Sequence, residues 1–233
     1  MNLNTYINNE QGKFFCSQQQ ASDFAKNVAG DFNPIHNVDA KKFIVPGDLL
    51  FSLILQQSGL SQKMKFNFSG MVRDNTKLHF TNVSDTKLAL VDDNAKEYVS
   101  CEFSGEVTKD QQIISLFARE YVSFSAMAFP HLLVPLMHKE QVMINIDRPL
   151  IIYESMSVEL EHLDFDDLQL NLHDSSLDVN GKRGRVCLQF DLMSADQKIG
   201  CGKKYMLLTG LREYEQQQID NMVAVYNKAI SEH

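Results

Sequence analysis

The chain has 233 residues, a net charge of -8 and a sequence pI of about 5.3. On average such a surface repels a nucleic-acid backbone, which disfavours a dedicated nucleic-acid-binding protein. Hydrophobic residues make up 44% of the chain and charged residues 22%, as in a folded globular protein and unlike a disordered one. The length fits one large domain or two small domains that share a core.

Cysteine spacing and the N-terminal composition bear on the cellular compartment. The four cysteines, Cys16, Cys101, Cys187 and Cys201, show no close C-x-x-C spacing of the kind found in zinc or redox sites. The first eleven residues are polar, and no apolar run approaches the roughly 20 residues that cross a bilayer. We therefore expect a reduced, soluble, cytoplasmic protein without a membrane span.

Two helices and a series of strands are predicted in the first half. Residues 17–28 have a helical apolar spacing, with Ser17 as N-cap and Gly30 as a stop signal. Residues 49–57 are apolar almost all round, which is typical of a buried helix. Strands are predicted at residues 66–68, 78–82, 88–91, 97–107 and 113–122, with a hairpin turn at 92–94.

The second half repeats this order loosely. Residues 126–139 are predicted to be helical, with Pro130 in a first turn and Pro135 as a kink or break. Strands are predicted at 153–161, 168–172, 185–193 and 199–208, and Asn180-Gly181 is a strong hairpin signal. Residues 211–230 are predicted to form a terminal amphipathic helix. Together the halves predict an α+β protein in which antiparallel strands follow a helix, twice.

Three segments carry a family resemblance. They are Phe24-Ala25, the run from Gly30 to His36 (Gly-Asp-Phe-Asn-Pro-Ile-His), and the run from Pro46 to Leu53. They resemble the hydratase motif of MaoC-like dehydratases and (R)-specific enoyl-CoA hydratases. The resemblance implies a hotdog fold, in which an antiparallel sheet wraps a long helix, here residues 49–57. Two such halves resemble a double hotdog, with residues 1–122 carrying the motif and residues 123–233 forming a degenerate hotdog with a terminal helix.

The resemblance also implies a site and a reaction. Asp31 and His36 match the family's catalytic pair, and Gly47 matches the glycine whose backbone N–H binds the thioester oxygen. Ser52 matches a serine near that pair, and Asn33 is expected to order the turn that lets the two side chains converge. The implied substrate is an acyl-CoA or acyl carrier protein thioester, hydrated or dehydrated without a metal or redox cofactor. The second half lacks the motif, so it is expected to be non-catalytic, to complete the scaffold and to wall the acyl tunnel, as a monomeric pseudo-dimer or in a homodimer.

Three departures from the family pattern leave other functions open. Pro46 stands where the family usually has His, Asp48 stands where an apolar residue is common, and the connection from His36 to Gly47 is short. A charged Asp48 would oppose a nearby oxyanion. One alternative is therefore a non-catalytic acyl-thioester or lipid-binding protein. Another is an acyl-CoA thioesterase, for which Asp48 is the acidic candidate on the central helix.

Overall fold

A computed structural model describes residues 2–145 and 151–233. Five α-helices are present in these residues: α1 (Gln18–Phe24), α2 (Gly47–Ser58), α3 (Gln111–Ala126), α4 (Leu133–Lys139) and α5 (Gln216–Ser231). The long strands are β3 (Leu60–Phe68), β4 (His79–Ser84), β5 (Lys87–Val91), β6 (Glu97–Thr108), β8 (Ile151–Leu160), β9 (Gln169–Asn180), β10 (Arg183–Ser194) and β11 (Gln197–Thr209). Short strands form two small additional sheets: β1 (Asn8–Glu10) with β2 (Lys13–Phe15), and β7 (Val142–Met143) with β12 (Arg212–Glu213).

The eight long strands form one antiparallel sheet in the order β4-β5-β6-β3-β8-β11-β10-β9. From the centre outward, each half has its first strand, then its fourth, third and second. The halves meet where β3 pairs antiparallel with β8, for example at Phe66 and Met156. The two halves therefore share one strand order about an approximate twofold axis. The predicted α+β class and double-hotdog arrangement are confirmed.

Helices cover one face of this sheet because their apolar sides need burial. The side chains of α2 are buried from Asp48 through Leu55, as its composition predicted. They share a core cluster with β3, β6 and the buried face of α3. A second cluster packs Leu133 and Met137 of α4 against Val186 and Leu188 of β10. No helix of the described ranges is long and apolar enough to cross a membrane.

The strand predicted at residues 113–122 is wrong, because this segment is the middle of α3. The Asp110 carboxylate accepts hydrogen bonds from the backbone N–H groups of Gln112 and Ile113, which caps the helix. The buried positions 114, 117, 118, 121 and 122 follow a helical period. The domain division at residue 122, which stays a prediction, falls inside this helix.

The helix predicted over residues 126–139 is interrupted, but not at Pro135. Phe129 has extended backbone angles (φ -111°, ψ 135°), since the residue before a proline is driven out of the α region. Pro135 lies in the first turn of α4, a position where helices tolerate proline.

The remaining predicted elements are present with shifted ends. The hairpin at Asn180-Gly181 joins β9 to β10, and the turn at residues 92–94 joins β5 to β6. The terminal helix begins at Gln216 and not at residue 211, because Arg212 and Glu213 pair with Met143 and Val142.

Candidate active site

The loop after α1 turns sharply because of three residues. A π-helical turn over Ala25–Ala29 ends at Gly30, whose φ of 72° suits glycine. The Asp31 carboxylate Oδ1 accepts a hydrogen bond from the Asn33 backbone N–H at 2.9 Å. The Asn33 side chain in turn caps a 3-10 turn over Pro34–His36, accepting from the Ile35 N–H at 3.2 Å. Asn33 thus orders the turn, and Asp31 and His36 come to face each other.

Asp31 and His36 form a close pair. Asp31 Oδ2 lies 3.6 Å from His36 Nε2, and the side chains are 25% and 11% exposed. His36 Nδ1 lies 2.7 Å from the carbonyl oxygen of Ile44. A carbonyl can only accept, so Nδ1 carries the hydrogen and Nε2 of the neutral ring keeps its lone pair. Two acceptor atoms at this separation can share the two hydrogens of one water molecule.

The pair lies on the wall of a cavity of about 640 Å³ with a mostly apolar lining. The first half contributes the loop from Asp31, the start of α2 and the end of β3, while the second half contributes Tyr153, Lys204 and Met206. Met222, Val225 and Tyr226 of α5 complete one side. The volume is within the range of about 300–1,000 Å³ that is typical of small-molecule sites.

Gly47 begins α2 on the same wall. The first N–H groups of a helix have no intrahelical partner and carry partial positive charge. A Cβ atom added at Gly47 would lie 2.9 Å from Cδ1 of Tyr153 and 3.3 Å from Cε1 of Phe68. These two rings stack with centroids 4.0 Å apart, so glycine is the residue that fits beneath them.

Ser52 is placed one turn further along α2. Its Oγ donates a hydrogen bond to the backbone carbonyl of Asp48 at 2.7 Å, and its side chain is buried. Ser52 is not among the residues that line the cavity.

A second polar cluster on the cavity wall joins both halves of the chain. Asp48 Oδ2 accepts a hydrogen bond from Ser125 Oγ at 2.7 Å, and the Lys204 ammonium donates to the same Oγ. Lys204 Nζ also lies 4.4 Å from the centre of the Tyr153 ring, and the Tyr153 hydroxyl is hydrogen-bonded to that of Tyr121. We call Asp48, Ser125 and Lys204 the buried relay.

Burial controls the ionisation of the relay. It raises the pKa of Asp48 above the ordinary value of 3.8, an effect that Lys204 and the Ser125 hydrogen bond oppose. Burial also lowers the pKa of Lys204 from its ordinary 10.5, against the attraction of Asp48 and Asp31. Both shifts favour the neutral form of the group concerned.

Ser125, Lys204 and α5 contribute to the cavity wall without having been predicted as site residues. Lys204 could have been recognised from strand periodicity. It occupies every second position together with the buried Gly202, Met206 and Leu208, so its side chain is on the inward face of β11. Ser125 of α3 had none, because its contacts with Asp48 and Lys204 form only in the folded chain.

The C-terminal helix α5 packs through aromatic contacts on residues 30–36, which we call the motif loop. The Tyr226 ring meets Phe32 and Phe129 edge-on, with centroids 6.3 Å and 5.2 Å apart. His233 Nε2 lies 2.6 Å from Asn27 Oδ1. The loop is therefore held between α1 and α5.

The chain has similarity to solved hotdog proteins. A tesB protein from Mycobacterium avium subs paratuberculosis is 10% identical with a TM-score of 0.46, covering 89% of this chain and 97% of that one. A conserved hot dog fold protein from Alicyclobacillus acidocaldarius is 7% identical with a TM-score of 0.46, covering 89% and 97%. A MaoC-like dehydratase is 9% identical with a TM-score of 0.39, covering 88% and 98%.

Sequence comparison gives the family. No curated protein matches the chain. A family model described as "Protein of unknown function (DUF3581)" matches residues 1–217. The chain therefore belongs to the DUF3581 family.

Proposed function

We propose that this chain is an (R)-specific enoyl-thioester hydratase or 3-hydroxyacyl-thioester dehydratase, acting on acyl-CoA or acyl carrier protein substrates. The observation that carries the proposal is the Asp31–His36 pair on the wall of a largely apolar cavity, with 3.6 Å between Oδ2 and Nε2. The (R) stereochemistry and the thioester substrate come from the family resemblance of residues 24–53.

The geometry supports a single-water mechanism. A water molecule between Asp31 and His36 donates its hydrogens to Oδ2 and Nε2, which leaves its lone pair free to attack C3 of the enoyl group. One proton passes to the pair as the C3–O bond forms, and the electrons of the C2=C3 bond move toward the thioester oxygen. The start of α2 at Gly47 stabilises the negative charge there. The pair then returns its proton to C2, and dehydration follows the same steps in reverse.

The test is loss of enoyl absorbance from crotonyl-CoA and longer enoyl-CoAs. We expect Asp31→Asn and His36→Ala each to lower kcat/KM by about 10²–10⁴-fold, because each removes a proton-transfer group. Asp39→Asn is the matched control, since Asp39 is an exposed carboxylate of the same loop and does not line the cavity. Unchanged turnover in the Asp31 and His36 variants would refute the proposal.

A thioesterase is the second candidate, because Asp48 lies on the central helix and lines the same cavity. In that case the assay releases free thiol without prior loss of enoyl absorbance, and release depends on Asp48. Binding of acyl-CoA with neither reaction would instead indicate an acyl-binding protein.

A further inference from the structure

The cavity that holds Asp31 and His36 lies between the two hydrophobic clusters of the fold. Buried apolar residues of both clusters line it. Those of the cluster around α2 are Val45, Leu50 and Val72, and those of the cluster around α4 are Ala128, Leu133, Ile144 and Met206. The cavity therefore extends from the motif loop into the core of the second half.

Exposed lining residues mark the rim of the cavity. They are Pro34 in the motif loop, Ser69 and Met71 after β3, and Asn221 and Val225 on α5. CoA and acyl carrier protein are too large and too polar to enter a mostly apolar cavity of about 640 Å³, so the carrier stays outside this rim. The acyl chain then points away from the rim, toward the second-half residues Leu133, Ile144 and Met206, which are at most 3% exposed.

Strand register places Met206 beside the position of the thioester. Met206 of β11 pairs with Tyr153 of β8, and neighbouring strands lie about 5 Å apart. The Tyr153 ring lies directly over Gly47, at the start of α2. An acyl chain that leaves Gly47 toward the second half therefore passes Met206.

The second-half wall suits a hydrocarbon chain. Among the described lining residues between positions 126 and 206, Lys204 is the only charged one, and its ammonium is hydrogen-bonded to Ser125. Met206 lies two residues further along the same face of β11. Methionine is unbranched and flexible, so its side chain adapts to the shape of an apolar neighbour.

We propose that the acyl chain of the thioester lies in the core of the second half, and that Met206 is a specificity-determining residue for its length. The inference deepens the proposed function, on which it rests for the thioester. A methylene group is about as large as a water molecule, whose share of liquid volume is about 30 Å³, so the cavity of about 640 Å³ holds an acyl chain of about ten carbons together with the end of the pantetheine arm. The substrate class is thus a medium-chain acyl thioester, and a crotonyl group fills only a small part of the site.

The first test measures the chain-length dependence of enoyl-CoA hydration. We expect kcat/KM of wild type to rise by up to about fourfold for each methylene added between crotonyl-CoA and trans-2-decenoyl-CoA, because each one moves from water to an apolar wall. A value that is flat or falls over this range would overturn the proposal.

Two substitutions of Met206 should change the preferred length in opposite directions. Met206→Trp fills part of the cavity, and we expect it to lower the ratio of kcat/KM for decenoyl-CoA to that for crotonyl-CoA by about 10–100-fold, as for two or three excluded methylenes. Met206→Ala removes three heavy atoms, so the length of greatest kcat/KM should increase by about two to three carbons. Either folded variant suffices for the test.

Leu207 provides the matched controls. It is the next residue of β11, on the opposite face of the sheet, and does not line the cavity. Leu207→Trp and Leu207→Ala should keep the wild-type ratio. An unchanged ratio in the folded Met206 variants, or an equal change in the Leu207 variants, would contradict the assignment of Met206.

A binding measurement separates the acyl site from the hydratase reaction. The thioethers S-decyl-CoA and S-butyl-CoA can be neither hydrated nor hydrolysed, and calorimetric titration gives their Kd values. We expect wild type and Asp31→Asn to bind S-decyl-CoA at least about 100-fold more tightly than S-butyl-CoA, and Met206→Trp to lose most of this preference. Equal Kd values in wild type would overturn the acyl site. A Met206-dependent preference without enoyl hydration would refute the hydratase while keeping the acyl site.

Discussion

At the residue scale, Asp48 links the chemistry of the cavity to the stability of the fold. Its pKa is raised above 3.8 in the folded protein, so from that pH upward the folded chain holds the proton more tightly than the unfolded chain. Folding stability due to this group is therefore fully present below its unfolded pKa. It is lost as the pH rises through the folded pKa.

Asp48→Asn removes this titration and serves as the reference. We expect the free energy of unfolding of wild type, relative to Asp48→Asn, to fall with rising pH by up to about 1.4 kcal/mol per pH unit. The fall begins near pH 3.8, the ordinary value for the group, and ends at its folded pKa. Urea unfolding across the acidic and neutral range measures it. Parallel pH profiles for the two proteins would show that the pKa is unchanged by folding.

Site residues could be predicted where they are close to one another in the sequence. Asp31, Asn33 and His36 belong to one turn, whose residues specify its geometry, so the sequence indicated their convergence. Ser125 and Lys204 reach Asp48 from α3 and β11, and such long-range contacts leave no mark in a local pattern.

At the element scale, α5 is a wall of the site. Ile219 and Tyr226 are buried, and Met222 and Val225 line the cavity. Val225 is nonetheless 64% exposed, and Met71, on another part of the lining, is 49% exposed. These two apolar side chains mark where the cavity opens to solvent.

Tyr226 is the anchor of α5, and its removal should loosen that helix. We expect Tyr226→Ala to destabilise the attachment of α5 by about 3–5 kcal/mol, as for other buried aromatic truncations. Hydrogen exchange of the backbone in Gln216–Ser231 should then accelerate, and KM for long enoyl-CoAs should rise. Tyr226→Phe keeps the ring against Phe32 and Phe129 and is the control. Unchanged exchange in Tyr226→Ala would mean that other contacts hold the helix.

Helices and strands were predicted correctly where the local sequence specifies them. The apolar run of α2 and the hairpin signals specified their elements correctly, because composition and turn chemistry act locally. Residues 113–122 of α3 contain so many apolar residues that a helical spacing and a strand spacing are hard to distinguish, which is why a strand is predicted there. The Asp110 cap and the spacing of Ile114, Phe117 and Tyr121 decide for the helix.

At the scale of the whole molecule, the seam between β3 and β8 makes one continuous sheet out of two similar halves. The cavity is nevertheless asymmetric, because the motif loop comes from the first half and Lys204 comes from the second. The second half is thus a working wall of the site as well as a scaffold. The repeat of strand order was predictable from the alternation of helix and strands, and so was a wall contributed by the second half. The contact between Lys204 of β11 and Ser125 was not predictable.

Because the two halves are parts of one polypeptide, inactive variants are expected not to complement each other. Asp31 and Lys204 line the same cavity within a single chain. Asp31→Asn removes a proposed catalytic group, and Lys204→Met removes the amine that is hydrogen-bonded to Ser125. Where both variants prove inactive on their own, they should therefore fail to restore enoyl-CoA hydration when they are co-expressed or mixed during refolding. In an assembly whose cavities are shared between subunits, such mixing would regenerate some intact sites. Recovery of activity in the mixture would show that a cavity can be assembled from two chains. Absence of recovery would indicate that each polypeptide carries its own complete site.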